Sequence, residues 1–179
     1  MAFDFNFTTL QDIKQLRELV NFVDSQDLGY PGYHEWVSRT EAELASGYKQ
    51  SVIAYSDRKV VGDLIFQPHK SISSLIEIKN FRIDERFRMR AFGRFLMRQL
   101  EVETSENSSG ITVDVREGQK QTIDFFSRVG FTPRITLPLY GGNEKDIVFV
   151  KLSARAEDLT KSPMTKAIEN YALSRAVRN

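Results

Sequence analysis

The chain has 179 residues, of which 41% are hydrophobic and 27% are charged. That size and balance are typical of one globular domain with a sizeable core. Lys and Arg number 25 against 24 Asp and Glu, which excludes a chain that is polycationic throughout, so any anion-binding site must be local. Cysteine is absent, which excludes disulfides, thiolate metal sites and a cysteine nucleophile.

The first residues, MAFDFNF, do not form a basic segment followed by an apolar core, so they are not expected to be a signal peptide. No apolar run in the sequence approaches the roughly 20 residues that a membrane-spanning helix needs. The sequence therefore predicts a cytoplasmic protein with no membrane partner.

Apolar periodicity predicts alternating strands and helices along the first 150 residues. Alternating phenylalanines indicate a strand over 3–7. Thr9 and Asp12 resemble a capping box ahead of a first helix, and a second helix is expected from about Tyr33 to Ser46. Further along the chain, the pattern predicts strands at 52–55, 59–66, 75–83, 111–115, 131–137 and 146–152, a helix beginning near Ala91 and another over 122–129.

This order of elements indicates an α/β sheet domain over residues 1–152. Residues 153–179 form a more polar C-terminal tail. Ser162-Pro163 in that tail is typical of an N-cap and a first helical turn, which predicts a short amphipathic helix that docks on the same chain or on a second copy, as in a homodimer.

Residues 86–101 read RFRMRAFGRFLMRQLE and place five arginines around a small-residue step. A helix N-terminus presents backbone N–H groups and the positive end of the helix dipole, so it readily receives phosphates. Small residues let the backbone approach such a ligand closely. The stretch therefore predicts an anion site where a strand turns into a helix.

The segment Arg88-Met-Arg-Ala91-Phe-Gly93 resembles the pyrophosphate loop of the GNAT family of acyl-CoA-dependent N-acetyltransferases, with alanine in place of the first glycine. Residues 113–131, with Asp-Phe-Phe and Val-Gly-Phe, resemble the next strand and helix of that family. The resemblance covers residues 1 to about 152. It implies the GNAT acyl-CoA N-acyltransferase fold, with a central mixed, mostly antiparallel, splayed sheet flanked by helices, and acetyl-CoA as co-substrate.

The resemblance also implies which residues bind coenzyme A. Backbone amides of the loop would hold the pyrophosphate, assisted by arginine side chains, and main-chain groups of the preceding strand would pair with the pantetheine arm. Gln119 stands where relatives often carry an asparagine that contacts this arm. The residues assigned to the cofactor are Phe81, Arg82, Ile83, Arg88, Met89, Arg90, Ala91, Phe92, Gly93, Arg94, Gln119 and Phe126.

Acetylation of an amine needs a base, because an ammonium group has no lone pair with which to attack a thioester. Glu77 lies eleven residues before Arg88, a spacing that resembles the glutamate base of some family members. Its neighbours Ile76 and Ile78 place it on the opposite side of the strand from their own side chains. The alternative is an ordinary solvent-facing glutamate paired with Lys79.

Many relatives protonate the leaving thiolate with a tyrosine, but the corresponding residue here is Phe126, which has no proton to donate. Ser127 or Tyr140 could contribute instead. The substitution supports a second hypothesis, a catalytically weak acyl-CoA-binding sensor or scaffold.

The acceptor is expected to be a primary amine on a small molecule, a protein or an aminoacyl-tRNA. Scattered rather than clustered cations argue against nucleic acid. His34 and His69 lack a ligand-spaced partner, so no metal is expected. Tyr30, Tyr33, His34 and Trp36 stand where the first two helices of the family wall the acceptor site; they could line that site or belong to the core, and the core is favoured for Trp36.

Overall fold

The computed structural model of the protein describes residues 4–27, 32–140 and 143–177, and for 154–163 the description covers the backbone alone. The chain divides into two compact units, one formed by residues 1–67 and 79–103, the other by 68–78 and 104–179. The strands are β1 (Phe5–Thr9), β2 (Gln50–Ser56), β3 (Lys59–Pro68), β4 (Leu75–Ile83), β5 (Gly110–Arg116), β6 (Thr132–Leu137) and β7 (Asp146–Leu152). The helices are α1 (Ile13–Asp24), α2 (Tyr33–Ala45), α3 (Phe92–Thr104), α4 (Lys120–Arg128) and α5 (Ala154–Ala176).

The strand order is β1-β2-β3-β4-β5-β7-β6, and β4 contributes residues to both units. Antiparallel pairing joins β1 to β2, β2 to β3, β5 to β7 and β6 to β7. The parallel pairing of β4 with β5 runs from Leu75↔Gly110 to Glu77↔Thr112, whereas β4 itself continues to Ile83. The predicted fold class, a mixed and mostly antiparallel sheet flanked by helices, is confirmed.

The first unit is built around β2 and β3, which form a hairpin. Asp57 and Arg58 at its turn both have positive φ, of 49° and 64°, the backbone that a tight two-residue hairpin turn requires. Ile53 and Ile65 pack against the apolar faces of α1 and α2. A Cβ atom on Gly62 would lie 2.9 Å from the carbonyl oxygen of Arg82, so glycine is needed where β3 approaches the end of β4.

The second unit contains β5, β6, β7 and the beginning of β4. Phe126 of α4 is 1% exposed and packs edge-to-face on Phe131. Along α5, every fourth residue from Met164 to Ala172 is buried, and these side chains pack in a cluster with residues of β4 and β7. Burial of that stripe, rather than intrinsic helix propensity, stabilises a surface helix of this kind.

Two sequence predictions are corrected here. Thr9 is not a helix cap, because it pairs with Val52 in the β1–β2 ladder, and the cap is Asp12, whose Oδ1 accepts the Gln15 N–H at 2.8 Å. The C-terminal helix is not short and does not begin at Ser162, since α5 runs unbroken from Ala154 to Ala176. No helix in the described part of the chain combines the length and apolarity needed to cross a lipid bilayer.

Candidate active site

The arginine turn follows directly on β4 in the first unit. Asp84 initiates a single 3₁₀ turn and accepts the backbone N–H of Arg86 at 3.0 Å. The Arg86 guanidinium also donates to both Asp84 oxygens, at 3.1 and 2.7 Å, and these contacts hold the pKa of the Asp84 carboxyl below its usual range. Asp84 thus stabilises the turn through Arg86, and we do not assign it to a ligand.

Two non-glycine residues of the turn adopt the left-handed backbone. Met89 has φ of 61° and Ala91 has φ of 65°, a conformation that costs an L-residue about 1–2 kcal/mol. Where left-handed residues alternate with residues of negative φ, successive backbone N–H groups converge on one concave surface, and such a surface binds anions. The helix α3 then begins at Phe92, and the Phe95 N–H donates to the Ala91 carbonyl at 3.1 Å. The turn is exposed, with Met89 97% accessible.

The arginines predicted to contact phosphate differ in their surroundings. Arg88 Nε donates to the Ile83 carbonyl at 3.1 Å, and its Nη1 lies 3.5 Å from Glu85. The Arg90 guanidinium carbon lies 5.7 Å from the centre of the Phe87 ring, and Arg94 is exposed on α3. Because a guanidinium carries five N–H donors, Arg88 retains donor capacity while its Nε holds the turn to β4.

Arg82 has a different position from these arginines. Its Nη1 donates to the Gln26 carbonyl at 2.5 Å and to the Tyr33 hydroxyl at 2.6 Å, and the Tyr33 hydroxyl donates to the Val23 carbonyl at 2.5 Å. The Arg82 side chain therefore fixes the end of α1 and the start of α2, which leaves the main chain of Phe81–Ile83 as the part of this segment assigned to the cofactor.

A buried acid lies next to this network. Asp63 is fully buried, and its Oδ2 accepts the Asn80 side-chain N–H at 2.7 Å, whereas its Oδ1 has no hydrogen-bond partner among the described residues. Burial raises the pKa of Asp63 to about 7, against the smaller lowering effects of Asn80 and Arg82. Nothing in the sequence pattern predicted this group.

Glu77 is a buried residue of β4, with 3% of its surface exposed. The alternative of a solvent-facing glutamate is therefore wrong. In the second unit, Glu77 lines a cavity of about 10 Å³. The residues lining this cavity are His69, Glu77, Thr112, Asp114, Val148, Ile168, Tyr171, Ala172 and Arg175.

The cation facing Glu77 comes from the end of α5. Arg175 Nη1 lies 3.8 Å from Glu77 Oε1 and 3.8 Å from Asp114 Oδ2. Its guanidinium carbon lies 5.1 Å from the ring centre of Tyr140 and 6.0 Å from that of Tyr171, and Tyr140 donates a hydrogen bond to Asp114. Burial acts to lower the pKa of Arg175. The charge of Asp114 and the interaction with Tyr140 together outweigh burial, so the pKa is raised overall and the guanidinium stays charged.

A third carboxyl group, Asp146, extends this acidic cluster. It is 3% exposed and lies 3.8 Å from Arg116 Nε. Burial, followed by the Asp114 charge, raises its pKa, and Arg116 and Arg175 act against that rise. The two arginines thus offset buried negative charge in the second unit.

The two remaining predicted cofactor residues lie in different surroundings. Gln119 is the N-cap residue of α4 and makes no side-chain capping bond. Phe126 is buried in the core of the second unit, and Ser127 beside it is exposed. Of the two hydroxyl residues offered in place of the missing tyrosine acid, Ser127 and Tyr140, it is Tyr140 that contacts a carboxylate, that of Asp114.

The histidines and the aromatic residues near α2 have local partners. His34 Nδ1 lies 2.9 Å from Asp24 Oδ1, while His69 Nδ1 accepts backbone N–H groups of Ser71 and Ile72. Tyr33 is buried and Trp36 packs against the core of the first unit. Tyr30 lies outside the described residues.

Sequence reasoning missed Asp114 and Arg175. Asp114 occupies the polar position between Val113 and Val115 in the alternation of β5, so a carboxylate on the face opposite these valines could have been noticed. No local signal connects Arg175 with Glu77, because the two are far apart along the chain.

The model of the acetyltransferase (GNAT) family matches residues 10–131, more than half of the chain. The chain therefore belongs to the GNAT family of acetyltransferases. It is an acyl-CoA-dependent N-acetyltransferase with acetyl-CoA as co-substrate, and the family match supports this enzyme rather than the alternative of a sensor module.

Solved structures show the same fold at low sequence identity. A protein from Desulfovibrio desulfuricans assigned to the GNAT acetyltransferases is 15% identical, with a TM-score of 0.73 over 83% of this chain and 99% of its own. The ribosomal-protein-S18-alanine N-acetyltransferase of Escherichia coli is 16% identical, with a TM-score of 0.65 over 83% and 94%.

A protein from Bacillus anthracis assigned as a streptothricin acetyltransferase, in complex with acetyl coenzyme A, is 17% identical, with a TM-score of 0.55 over 59% of this chain and 63% of its own. A search of curated proteins found no match.

Proposed function

We propose that this N-acetyltransferase binds acetyl-CoA through the turn at 88–93 and transfers the acetyl group to a primary amine by direct attack in a ternary complex, with Glu77 as general base. The observation that carries the proposal is the turn itself. It is exposed and cationic, has left-handed backbone at Met89 and Ala91, and opens α3 inside the family match.

The backbone amides of Met89 to Gly93 would hold the pyrophosphate, because this turn geometry and the helix start both favour an anion. Arg88, Arg90 and Arg94 would add charge-assisted hydrogen bonds. The main chain of Phe81, Arg82 and Ile83 would serve the pantetheine arm, together with Gln119 and the region of Phe126. This division of tasks suits the Arg82 side chain, which is already bonded to Tyr33.

Acetyl-CoA supplies an activated thioester, and transfer joins the amine nitrogen to the acetyl carbon while the carbon–sulfur bond breaks. Glu77 accepts the proton that the ammonium form of the acceptor must lose, and later releases it to water. The departing thiol has an ordinary pKa near 8.5, so it leaves without strong acid assistance. The nitrogen loses its second proton as the amide forms, and the departing thiolate takes up one proton; Tyr140, the hydroxyl beside Asp114, is the residue that we assign to this transfer.

The acceptor is a primary amine on a small molecule, a protein or an aminoacyl-tRNA, and scattered surface cations disfavour the tRNA. The protein acceptor named for the Escherichia coli neighbour makes a peptide amine a reasonable first choice. We infer a cytoplasmic enzyme, since a chain without cysteine suits a reducing compartment. A homodimer would use the exposed side chains of Leu173 and Val177 on the outer face of α5.

A mass-spectrometric screen tests the proposal directly. Acetyl-CoA is incubated with the protein and pooled amines, peptides and charged tRNA, and the products are searched for an added acetyl group. The proposal predicts acetylated amines that are missing with Glu77→Gln. Acetyl transfer that proceeds equally well with Glu77→Gln would remove Glu77 from the mechanism.

A further inference from the structure

The carboxylate proposed as the base is enclosed by the chain itself. Glu77 is 3% exposed, and the cavity beside it has about 10 Å³, room for about a single water molecule. Tyr171, Ala172 and Arg175, all from the last two turns of α5, form one wall of this cavity. An amine acceptor is larger than water, so it cannot reach Glu77 while the end of α5 is docked.

The ion pairs that Arg175 makes in this wall are long. Arg175 Nη1 lies 3.8 Å from each of the two carboxylates, beyond the distance of a hydrogen bond. The aromatic rings of Tyr140 and Tyr171 lie 5.1 and 6.0 Å from its guanidinium carbon. One organic cation thus sits between two acids and two aromatic faces, a setting that also suits an alkylammonium group.

Arg175 is placed where little structure must change to release it. It is the residue before the last one of α5, and Leu173 and Val177 beside it are 46% and 87% exposed. Helix ends open at a much lower cost than helix interiors. Moreover, α5 lies outside residues 10–131, the part of the chain that matches the family.

We propose that Arg175 is a gate over Glu77, and that a cationic alkylamine acceptor opens it by replacing the guanidinium between Glu77 and Asp114. The inference rests on the proposed role of Glu77. An alkylammonium leaves the net charge of the pocket unchanged when Arg175 leaves, whereas a neutral acceptor would leave two buried carboxylates without the cation that faces them. Once in place, the ammonium transfers a proton to Glu77, and the nitrogen lone pair becomes available for attack.

The gate can be tested without measuring activity, because the chain has no cysteine. Ala172 is 3% exposed, so the thiol introduced by Ala172→Cys reports opening through its reaction rate with an aromatic disulfide reagent. Adding Arg175→Ala should raise this rate on the order of tenfold, as expected for the loss of a buried ion pair at a helix end. The matched control is Lys166→Ala, which removes an exposed cation of the same helix.

An equal thiol reaction rate in the Ala172→Cys protein with and without Arg175→Ala would overturn the gate. If Ala172→Cys does not fold, hydrogen exchange of amides 168–176 replaces the thiol reaction, and Arg175→Ala must then accelerate exchange in that segment but not in β5. Exchange that is unchanged in the segment, or accelerated equally in β5, would also overturn it.

The acceptor class is tested with n-butylamine, cationic at neutral pH, and n-butanol as its uncharged counterpart. Millimolar n-butylamine should accelerate the thiol reaction of the Ala172→Cys protein severalfold, and n-butanol should not. Equal effects of the two compounds would contradict a gate opened by a cation. This readout needs no catalysis, so it tests the gate separately from the base. If Glu77→Gln retains turnover while n-butylamine still accelerates the thiol reaction, the base assignment has failed and the gate has not.

Discussion

The arginine turn and the Glu77 pocket use the same side chain in opposite ways. At the turn, Arg88, Arg90 and Arg94 are exposed, and Ala91 adopts the left-handed backbone. In the pocket, Arg175 is largely buried and already faces two carboxylates. The first arrangement can receive an anion without rearrangement, whereas the second must first release its own cation.

The two regions also differ in how the chain builds them. The turn is assembled from neighbours along the sequence and held by short local contacts such as that between Arg86 and Asp84. The pocket joins residues of β4, β5 and α5. Cofactor binding and proton transfer should therefore respond to different substitutions, and this separation can be measured.

Glu77→Gln should change turnover more than any other single substitution considered for the two regions. The amide keeps the size of the side chain but does not accept a proton at working pH, so turnover should fall by a factor on the order of 10²–10⁴. The loss should shrink as pH rises, because more of the acceptor amine is then already neutral. Coenzyme A affinity, measured by calorimetry, should hardly change, and a parallel loss of affinity would show that the two regions are not separate.

The next effect is that of Ala91→Glu on coenzyme A binding. A carboxylate in the anion site should weaken binding by several kcal/mol, roughly 10²-fold or more, through like-charge repulsion. The matched control is Ala91→Gly, which relieves the φ of 65° and should stabilise the fold by about 1 kcal/mol while binding is retained. Unchanged calorimetric affinity in a folded Ala91→Glu protein would contradict the assignment of the turn.

The packing of α5 predicts a loss of stability for Ile168→Ala. Ile168 is 2% exposed within the cluster that includes Leu75 and Val148, so its truncation should lower the free energy of unfolding by about 2–4 kcal/mol. Leu173→Ala, at a position that is 46% exposed, should cost less than about 1 kcal/mol. Urea denaturation compares the two variants.

Removal of residues 153–179 bears on the same packing. The domain boundary at 152 predicts a folded protein that binds coenzyme A, whereas the cluster around Ile168 gives a physical reason to expect an insoluble one. Insolubility of the truncated chain would place α5 in the core and move the boundary.

A smaller effect concerns Asp63 and pH. Burial raises its pKa from 3.8 to about 7, so between these values the folded state keeps a proton that the unfolded state loses, and stability falls as pH rises. Asp63→Asn removes this titration. Its stability relative to the wild type should therefore increase with pH, by up to about 1.4 kcal/mol per unit within that window. Urea denaturation at pH 5 and pH 7 measures the difference, and parallel curves for the two proteins would exclude the shift.

The sequence predicted the fold where local pattern decides it. The bounds of β4 and β7 are those predicted, because apolar alternation ends there at polar turn residues. The predicted start of α5 was wrong, because Ser162-Pro163 is typical of a helix start. In the structure the helix begins at Ala154 and continues through Ser162-Pro163, and burial of Met164 and Ile168 stabilises it. Thr9 was misread because pairing with β2 places it in a strand.

The candidate site likewise has a part that the local sequence predicts and a part that depends on distant contacts. The exposed turn at Ala91 was predictable because every determinant lies within a few residues. Burial of Glu77 was not, since it depends on Arg175 and on Asp114, and single-sequence periodicity carries no information on contacts between distant elements. The pKa of Asp63 likewise arises from burial by the fold rather than from its neighbours in sequence.

A crystal structure with bound coenzyme A decides whether the turn at 88–93 holds the cofactor. We expect pyrophosphate oxygens within about 3 Å of backbone nitrogens between Met89 and Gly93, with at least one of Arg88, Arg90 and Arg94 in contact. Pyrophosphate bound elsewhere, with the turn unoccupied, would refute the assignment on which the proposed function rests.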